Sequence, residues 1–253
     1  MTKCIVITGA SSGIGQALAI SFANSGYDVV AIGQNEINLQ KIKSFISNGN
    51  VITICADLSE ENGIDKVAQN LALQNGVQFL IHCAAISKPY KSLMDILTIE
   101  LKQIINVNVM TPILLTQKLA PYFDETTRVL FIGSDYVGID KKIRPYVTGA
   151  YGISKSALRV AVEYFRREYD KALIGYLNPG TTDTPMYQSM VTAINQQGIF
   201  NHQGQIASPR DIAEFIQGVL EKTCNQDYKF IDWDYREIMH HQLIERSSVR
   251  AKL

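Results

Sequence analysis

Thr8-Gly9-Ala10-Ser11-Ser12-Gly13-Ile14-Gly15 decides how this 253-residue chain folds. The apolar run Lys3 to Thr8 enters it as a strand, and Ile14, Ala17, Leu18 and Phe22 leave it at the i, i+3, i+4 spacing of an amphipathic helix. A strand that feeds a helix N-terminus through glycines brings the backbone close to a pyrophosphate. Orphan amide donors and the positive end of the helix dipole then face its charge. In that reading Gly9 makes the turn, Gly13 permits the approach and Gly15 lets the helix pack closely, with Ser11, Ser12 and Ile14 bordering the same site. The bland alternative is a tight turn that uses glycine only for positive φ.

Outward from that turn, short β-branched runs alternate with longer helical-period stretches. That alternation predicts an α/β chain of βαβ units around a parallel sheet. The strands are expected at Lys3 to Thr8, Asp28 to Ile32, Val51 to Cys55, Gln78 to His82, Arg128 to Gly133, Leu173 to Leu177 and Tyr228 to Asp232. Most are nearly continuous apolar runs, as strands covered on both faces should be. Leu101, Ile104, Ile105 and Val109 form a second helical stripe, which Pro112 should kink by removing an amide donor. No linker or repeat divides the chain, so residues 1–253 read as a single domain.

Composition narrows the function. Hydrophobic residues are 46% and charged residues 19%, enough apolar surface to offset chain entropy and exclude disorder. Lys plus Arg and Asp plus Glu each total 24, so no net field exists for gripping nucleic acid or an anionic membrane. No apolar run reaches 18 residues and a strand begins within three residues of the start, which leaves no signal peptide and predicts a cytoplasmic protein. Cys4, Cys55, Cys83 and Cys224 are widely spaced with no CxxC pair and read as core thiols. His240 and His241 stand about 100° apart on a helix, which does not suit a shared ion, so no metal is expected.

Tyr151 and Lys155 occupy i and i+4 of Tyr-Gly-Ile-Ser-Lys, at the head of another helical pattern. Hydride transfer to a carbonyl needs a proton for the nascent alkoxide, and a phenol serves at neutral pH only if a cation stabilises its phenolate. Ser134 ends the Arg128 strand at the edge where ligands of open α/β sheets sit, placed to polarise a carbonyl. Asn108 is a polar interruption before Pro112, suited to serve the backbone or a water that relays protons to Lys155.

The TGxxxGxG spacing at Thr8 to Gly15, with Asn108, Ser134, Tyr151 and Lys155 in order, resembles the short-chain dehydrogenase/reductase family along nearly the whole chain. The resemblance implies a doubly wound Rossmann sheet of seven parallel strands in the order 3-2-1-4-5-6-7. It implies an NAD(P)-dependent enzyme passing hydride between cofactor and a carbonyl or alcohol, most simply a carbonyl reductase. Tyr151 would be the acid/base, Lys155 would lower its pKa and bind the nicotinamide ribose, Ser134 would orient the carbonyl, and Asn108 would hold the relay water. Asp57, with Leu58 beside it, would meet the adenine. Ala84 and Ala85 would line the cofactor path, and Pro179, Gly180, Thr182 and Thr184 would meet the nicotinamide carboxamide. A non-catalytic dinucleotide sensor would need only the glycine turn.

Departures from the family pattern carry their own expectations. The usual Asn-Asn-Ala-Gly reads His82-Cys83-Ala84-Ala85, so the amide that ties adjacent strands is gone. Gly33-Gln34-Asn35 lacks the carboxylate that would hold a ribose diol. Gln34, Asn35, Ser11 and Ser12 offer neutral donors to a 2′-phosphate, which favours NADP over NAD and leaves both usable. Ser134 and Tyr151 lie 17 positions apart, about four more than usual, and the excess contains the basic Asp140-Lys-Lys-Ile-Arg144. Residues of about 185–207 are too apolar for a linker and too irregular for a core helix, and read as a substrate lid. Val160, Tyr164 and Phe165 suggest an apolar surface for a homodimer or homotetramer.

Overall fold

The computed structural model describes residues 3–136, 145–198, 206–223 and 232–234. Seven parallel strands form one sheet in the order β3-β2-β1-β4-β5-β6-β7. They are β1 (Cys4–Thr8), β2 (Asp28–Gly33), β3 (Asn50–Cys55), β4 (Val77–His82), β5 (Arg128–Ile132), β6 (Leu173–Asn178) and β7 (Asp232–Asp234). The first six match the expected strands to within a residue or so at each end. The seventh starts where the expected Tyr228 to Asp232 run stops, and residues 228–231 lie outside the described set, as do Cys224, His240 and His241.

Helices cover both faces. On β1 the side chains alternate, with Ile5 and Ile7 packing on one side and Cys4 and Val6 on the other. The first face is closed by α1 (Gly13–Asn24) through Leu18 and Phe22, by α2 (Glu36–Ile42) through Leu39 and Ile42, and by α8 (Pro209–Thr223) through Ile212, Ile216 and Leu220. The second is closed by α3 (Glu61–Ala68), α5 (Thr111–Leu119) and α6 (Gly149–Glu168), whose Ile64, Val67, Leu115, Leu119, Leu158 and Val162 are buried. Fully burying one such aliphatic side chain contributes roughly 1.5–3 kcal/mol, so the two faces together supply the main stabilisation.

The expected kink at Pro112 has a definite form. α4 (Thr98–Ile105) runs into a wide π turn over Asn106–Met110 before α5 begins. Pro112 has no N–H to give the Asn108 carbonyl four residues back, and one extra residue in the turn accommodates that loss. Asn108 thereby sits at the bend, buried. Phe165 is a correction: it stacks on Phe131 at 5.9 Å between ring centres and belongs to the core, whereas Val160 and Tyr164 are exposed. Among the described residues, no helix is long and apolar enough to cross a membrane, and no cluster of ligating side chains could hold a metal.

Candidate active site

A cleft of about 390 Å³ opens at the C-terminal edge of the sheet, lined from one end by Gly9, Ser11, Ser12, Gly13 and Ile14 and from the other by Ser134, Tyr151 and Lys155. It lies where the strand order reverses between β1 and β4, the place where parallel α/β sheets leave a crevice. Gly9 adopts φ +69°, and a Cβ there would stand 2.8 Å from the Ala84 backbone. Gly15 lies so close to Gly9 that a Cβ would stand 2.5 Å from its carbonyl oxygen. Helix α1 starts at Ser12 without a side-chain cap and without an acidic residue in its first turn, so its leading amides face the cleft uncapped.

Thr8 supplies the tie that the sequence comparison found missing. Its hydroxyl oxygen accepts from the Cys83 amide at 3.1 Å and the Ala84 amide at 3.0 Å, joining the ends of β1 and β4. His82 turns away into the core. It pairs with the Thr116 hydroxyl at 2.8 Å and stacks on Phe131, and burial holds its pKa down at about 3 with help from the Lys155 charge. Because the Thr116 hydroxyl donates to the Pro112 carbonyl at 2.7 Å, His82 Nε2 carries the proton in their shared bond. Of the thiols, Cys4 is buried, while Cys55 and Cys83 are only half-buried and Cys83 lines the cleft.

The chemical end is assembled by β5 and α6. Ser134 follows β5; its amide donates to the Tyr176 hydroxyl at 3.1 Å, and its hydroxyl oxygen accepts from the Tyr136 amide at 3.2 Å. That leaves the Ser134 hydroxyl hydrogen for Tyr151 or an incoming carbonyl. Tyr176 occupies the space that any side chain at Gly133 would need, since a Cβ there would fall 2.0 Å from its ring. Burial pushes the Tyr151 phenol well above its ordinary value, opposed by a hydrogen bond with the Ser134 side chain. Tyr136 packs edge-on against the Tyr151 ring at 5.6 Å.

Lys155 is buried, and its ammonium donates to the Ile132 carbonyl at 2.9 Å, with Nζ lying 5.8 Å from the Tyr151 ring centre. Burial lowers its pKa to about 8. The ammonium is thus held by a backbone carbonyl, and for the buried phenol desolvation prevails. Asn108 is likewise bound to protein: its Oδ1 accepts from the Ile86 amide at 2.8 Å, and its Nδ2 donates to the Ile86 carbonyl at 2.8 Å and to Ser154 Oγ at 2.9 Å. Ser154 in turn donates to the Tyr151 carbonyl at 2.7 Å, so one amide fastens the loop after β4 to the helix carrying Tyr151.

The remaining expected residues divide in two. Ser11, Ser12, Gly13, Gln34, Leu58, Ala84, Ala85, Pro179, Gly180, Thr182 and Thr184 all line the cleft. Gly15, Asn35, Asp57 and Asn108 do not line it: Gly15 and Asn108 are buried, and Asn35 and Asp57 are exposed outside it. Asn35 caps α2 by accepting from the Asn38 amide at 2.9 Å, and the Asp57 carboxylate accepts from Gln34 at 2.7 Å and from Ser59, which holds its pKa low. Thr8, Tyr136, Ser154 and Tyr176 were missed; Thr8 and Tyr176 could have been found as polar residues set within or ending apolar strand runs. The segment expected to be irregular is a regular 12-residue helix, α7 (Pro185–Gln196), capped by Thr184 Oγ1. Residues 199–205, and the basic loop over 137–144, lie outside the described set.

A family model described as short chain dehydrogenase matches residues 3–195. Among curated proteins, dehydrogenase/reductase SDR family member 7B of Danio rerio is 26% identical over 239 residues, covering 88% of this chain and 75% of the relative. The uncharacterised oxidoreductase YhdF of Bacillus subtilis is 26% identical over 219 residues, covering 82% and 73%. Among solved structures, an alcohol dehydrogenase of Thermococcus sibiricus complexed with 5-hydroxy-NADP aligns with a TM-score of 0.76 at 23% identity, covering 92% of this chain and 95% of that one. A 3-ketoacyl-(acyl-carrier-protein) reductase of Brucella melitensis complexed with NADH aligns at 0.78 and 23%, covering 92% and 96%. With the glycine turn and the Ser134, Tyr151 and Lys155 side chains in one cleft, the chain belongs to the short-chain dehydrogenase family of NAD(P)-dependent oxidoreductases.

Proposed function

We propose that the protein is a carbonyl reductase that prefers NADPH. The observation that carries the reading is the presence of Ser134, Tyr151 and Lys155, the last two one helical turn apart, in the cleft whose other end is the glycine turn. A dinucleotide fits that turn: a side chain at Gly9 would collide with Ala84, one at Gly13 would press on Thr184, and the start of α1 is uncapped. Gly9 to Gly15 would hold its pyrophosphate, Leu58 and Asp57 its adenine end, and Ala84, Ala85, Pro179, Gly180, Thr182 and Thr184 its nicotinamide end. Bound there, the cofactor supplies the hydride.

The chain's own residues handle the proton. Ser134 donates to the carbonyl oxygen, and Tyr151 holds the proton that the nascent alkoxide takes. Buried Tyr151 stays protonated across the neutral range, which suits a donor in the reductive direction. Lys155 supplies positive charge beside the phenol and reaches the nicotinamide ribose, while Asn108 fixes the loop and helix that frame them. The NADPH preference rests on the lack of a carboxylate at Gly33-Gln34-Asn35 and on Gln34, Ser11 and Ser12 lining the cleft; NADH remains usable. A substrate lid at about 185–207, a homodimer or homotetramer through the exposed Val160 and Tyr164 face, and a cytoplasmic location consistent with free thiols complete the proposal. Fluorescence titration with NADPH and NADH, followed by NADPH oxidation with a panel of ketones, tests it. Tight NADPH binding without turnover of any carbonyl would favour a dinucleotide sensor instead.

A further inference from the structure

We propose that the substrate carries an uncharged, apolar substituent on its carbonyl carbon, and that the wall formed by Tyr136 and α7 selects for it. The inference rests on the reductase reading of the same cleft and names the substrate class. Tyr136 packs edge-on against Tyr151, and its hydroxyl reaches the Met190 sulfur of α7 at 3.7 Å. Met186, Tyr187, Val191 and Ile194 continue that wall along the helix. A carbonyl placed on Ser134 and Tyr151 would therefore press its neighbouring substituent against aromatic, thioether and aliphatic surface.

Charge makes the argument sharper. Among the described lining residues, only Asp135 and Lys155 carry charge. Lys155 is buried and engaged by Ile132, with Nζ 5.8 Å from the Tyr151 ring centre, while Asp135 directly follows Ser134. Ser87 and Gln103 add polar but neutral groups. A carboxylate on the substrate would surrender hydration against an apolar wall with no described cation other than the buried, engaged Lys155 to receive it. Shape is constrained less, because methionine side chains rearrange at small cost. The site should thus discriminate sharply on charge and loosely on outline.

The test uses the purified full chain with NADPH and two matched pairs: ethyl benzoylformate against benzoylformate, and 4-methylacetophenone against 4-acetylbenzoate. The neutral member of each pair should have a kcat/KM higher by about 100-fold or more. Met190→Lys should narrow that gap by about 10-fold through better use of the carboxylate, while Met190→Leu should leave it intact, separating charge from disturbed packing. Binding is read independently as the rise in Tm that each compound causes in the Tyr151→Phe variant with NADP⁺, larger for the neutral member. Equal or better use of the carboxylates would overturn the inference and direct attention to Lys141, Lys142 and Arg144. No NADPH oxidation with any carbonyl, while NADPH still binds, would overturn the reductase reading itself, and this inference would fall with it.

Discussion

The glycine turn and α7 border the same cleft with different materials. The turn offers backbone, its shape set by collisions that a Cβ would cause at Gly9 and Gly15. α7 offers side chains on a helix of which only Ile194 is fully buried. Backbone recognition tolerates almost no substitution and serves a ligand common to many proteins, whereas side-chain recognition can change residue by residue. On the proposed reading, the difference makes the end at the glycine turn rigid and shared, and the end at α7 individual and adjustable.

The comparison breaks if the chemistry cannot be separated from cofactor binding. Tyr151→Phe removes a proton donor and leaves the glycine turn untouched, so turnover should fall by about 1,000-fold while NADPH affinity by fluorescence titration stays within about twofold. A matching loss of affinity would show that the two ends act as one unit.

Lys155 stands between them and should expose a conflict between function and stability. Its folded pKa of about 8 lies below its ordinary 10.5, so between those values the unfolded chain holds more protons and wild-type stability climbs with pH. Below pH 8 the buried charge costs roughly 3 kcal/mol. Lys155→Met should therefore be more stable than wild type at pH 7 by urea denaturation, with the advantage shrinking toward pH 10.5, and should lose activity and cofactor affinity. A variant less stable at pH 7 would show that the Ile132 hydrogen bond outweighs desolvation.

A third experiment sharpens the rigid side. An aspartate at Gly33 should hold a ribose diol and repel a 2′-phosphate, but its Cβ would meet Ser11 Oγ at 2.9 Å and Ser11 Cβ at 3.0 Å. Gly33→Asp alone should weaken both cofactors. Combined with Ser11→Gly, it should shift preference toward NADH by about 10-fold in the ratio of Kd values. An unchanged ratio in the double variant would misplace the adenosine ribose. The smallest expected effect is on the adjustable side: amides of 185–196 should exchange hydrogen several-fold faster than those of α6 and slow when NADPH is added. Slow, cofactor-independent exchange would make α7 a fixed wall and not a lid.

The same division explains what was legible in the sequence. Strand runs, the glycine spacing and the Tyr151–Lys155 pair are local patterns, and the structure reproduces them nearly residue for residue. Thr8 and Tyr176 act across strands, and nothing in their own neighbourhoods reveals which amides they will meet. Asn35 and Asp57 look available as free polar groups, yet a helix cap and a Gln34 contact already claim them. The i+4 spacing of Tyr151 and Lys155 places both on one face of α6 but does not reveal that the ammonium donates to the Ile132 carbonyl. α7 was hidden because glycine and polar residues just beyond it blurred a short helical stripe.

The wide turn at Asn106–Met110 lets one extra residue into a helical rod without changing its phase. Each residue of an α-helix advances the azimuth by about 100°, whereas a π turn spends about one residue more on the same rotation, so α4 and α5 stay in register across it. Deleting one residue inside the turn would keep Ile104 buried but would set the Pro112 ring against the carbonyl four residues back and move Asn108 off Ile86 and Ser154. Deleting one residue within α4 itself would instead rotate everything before it by about 100° and swing its buried face toward solvent. The surplus residue is thus held for the opening it makes at Asn108, and not for the direction of the rod.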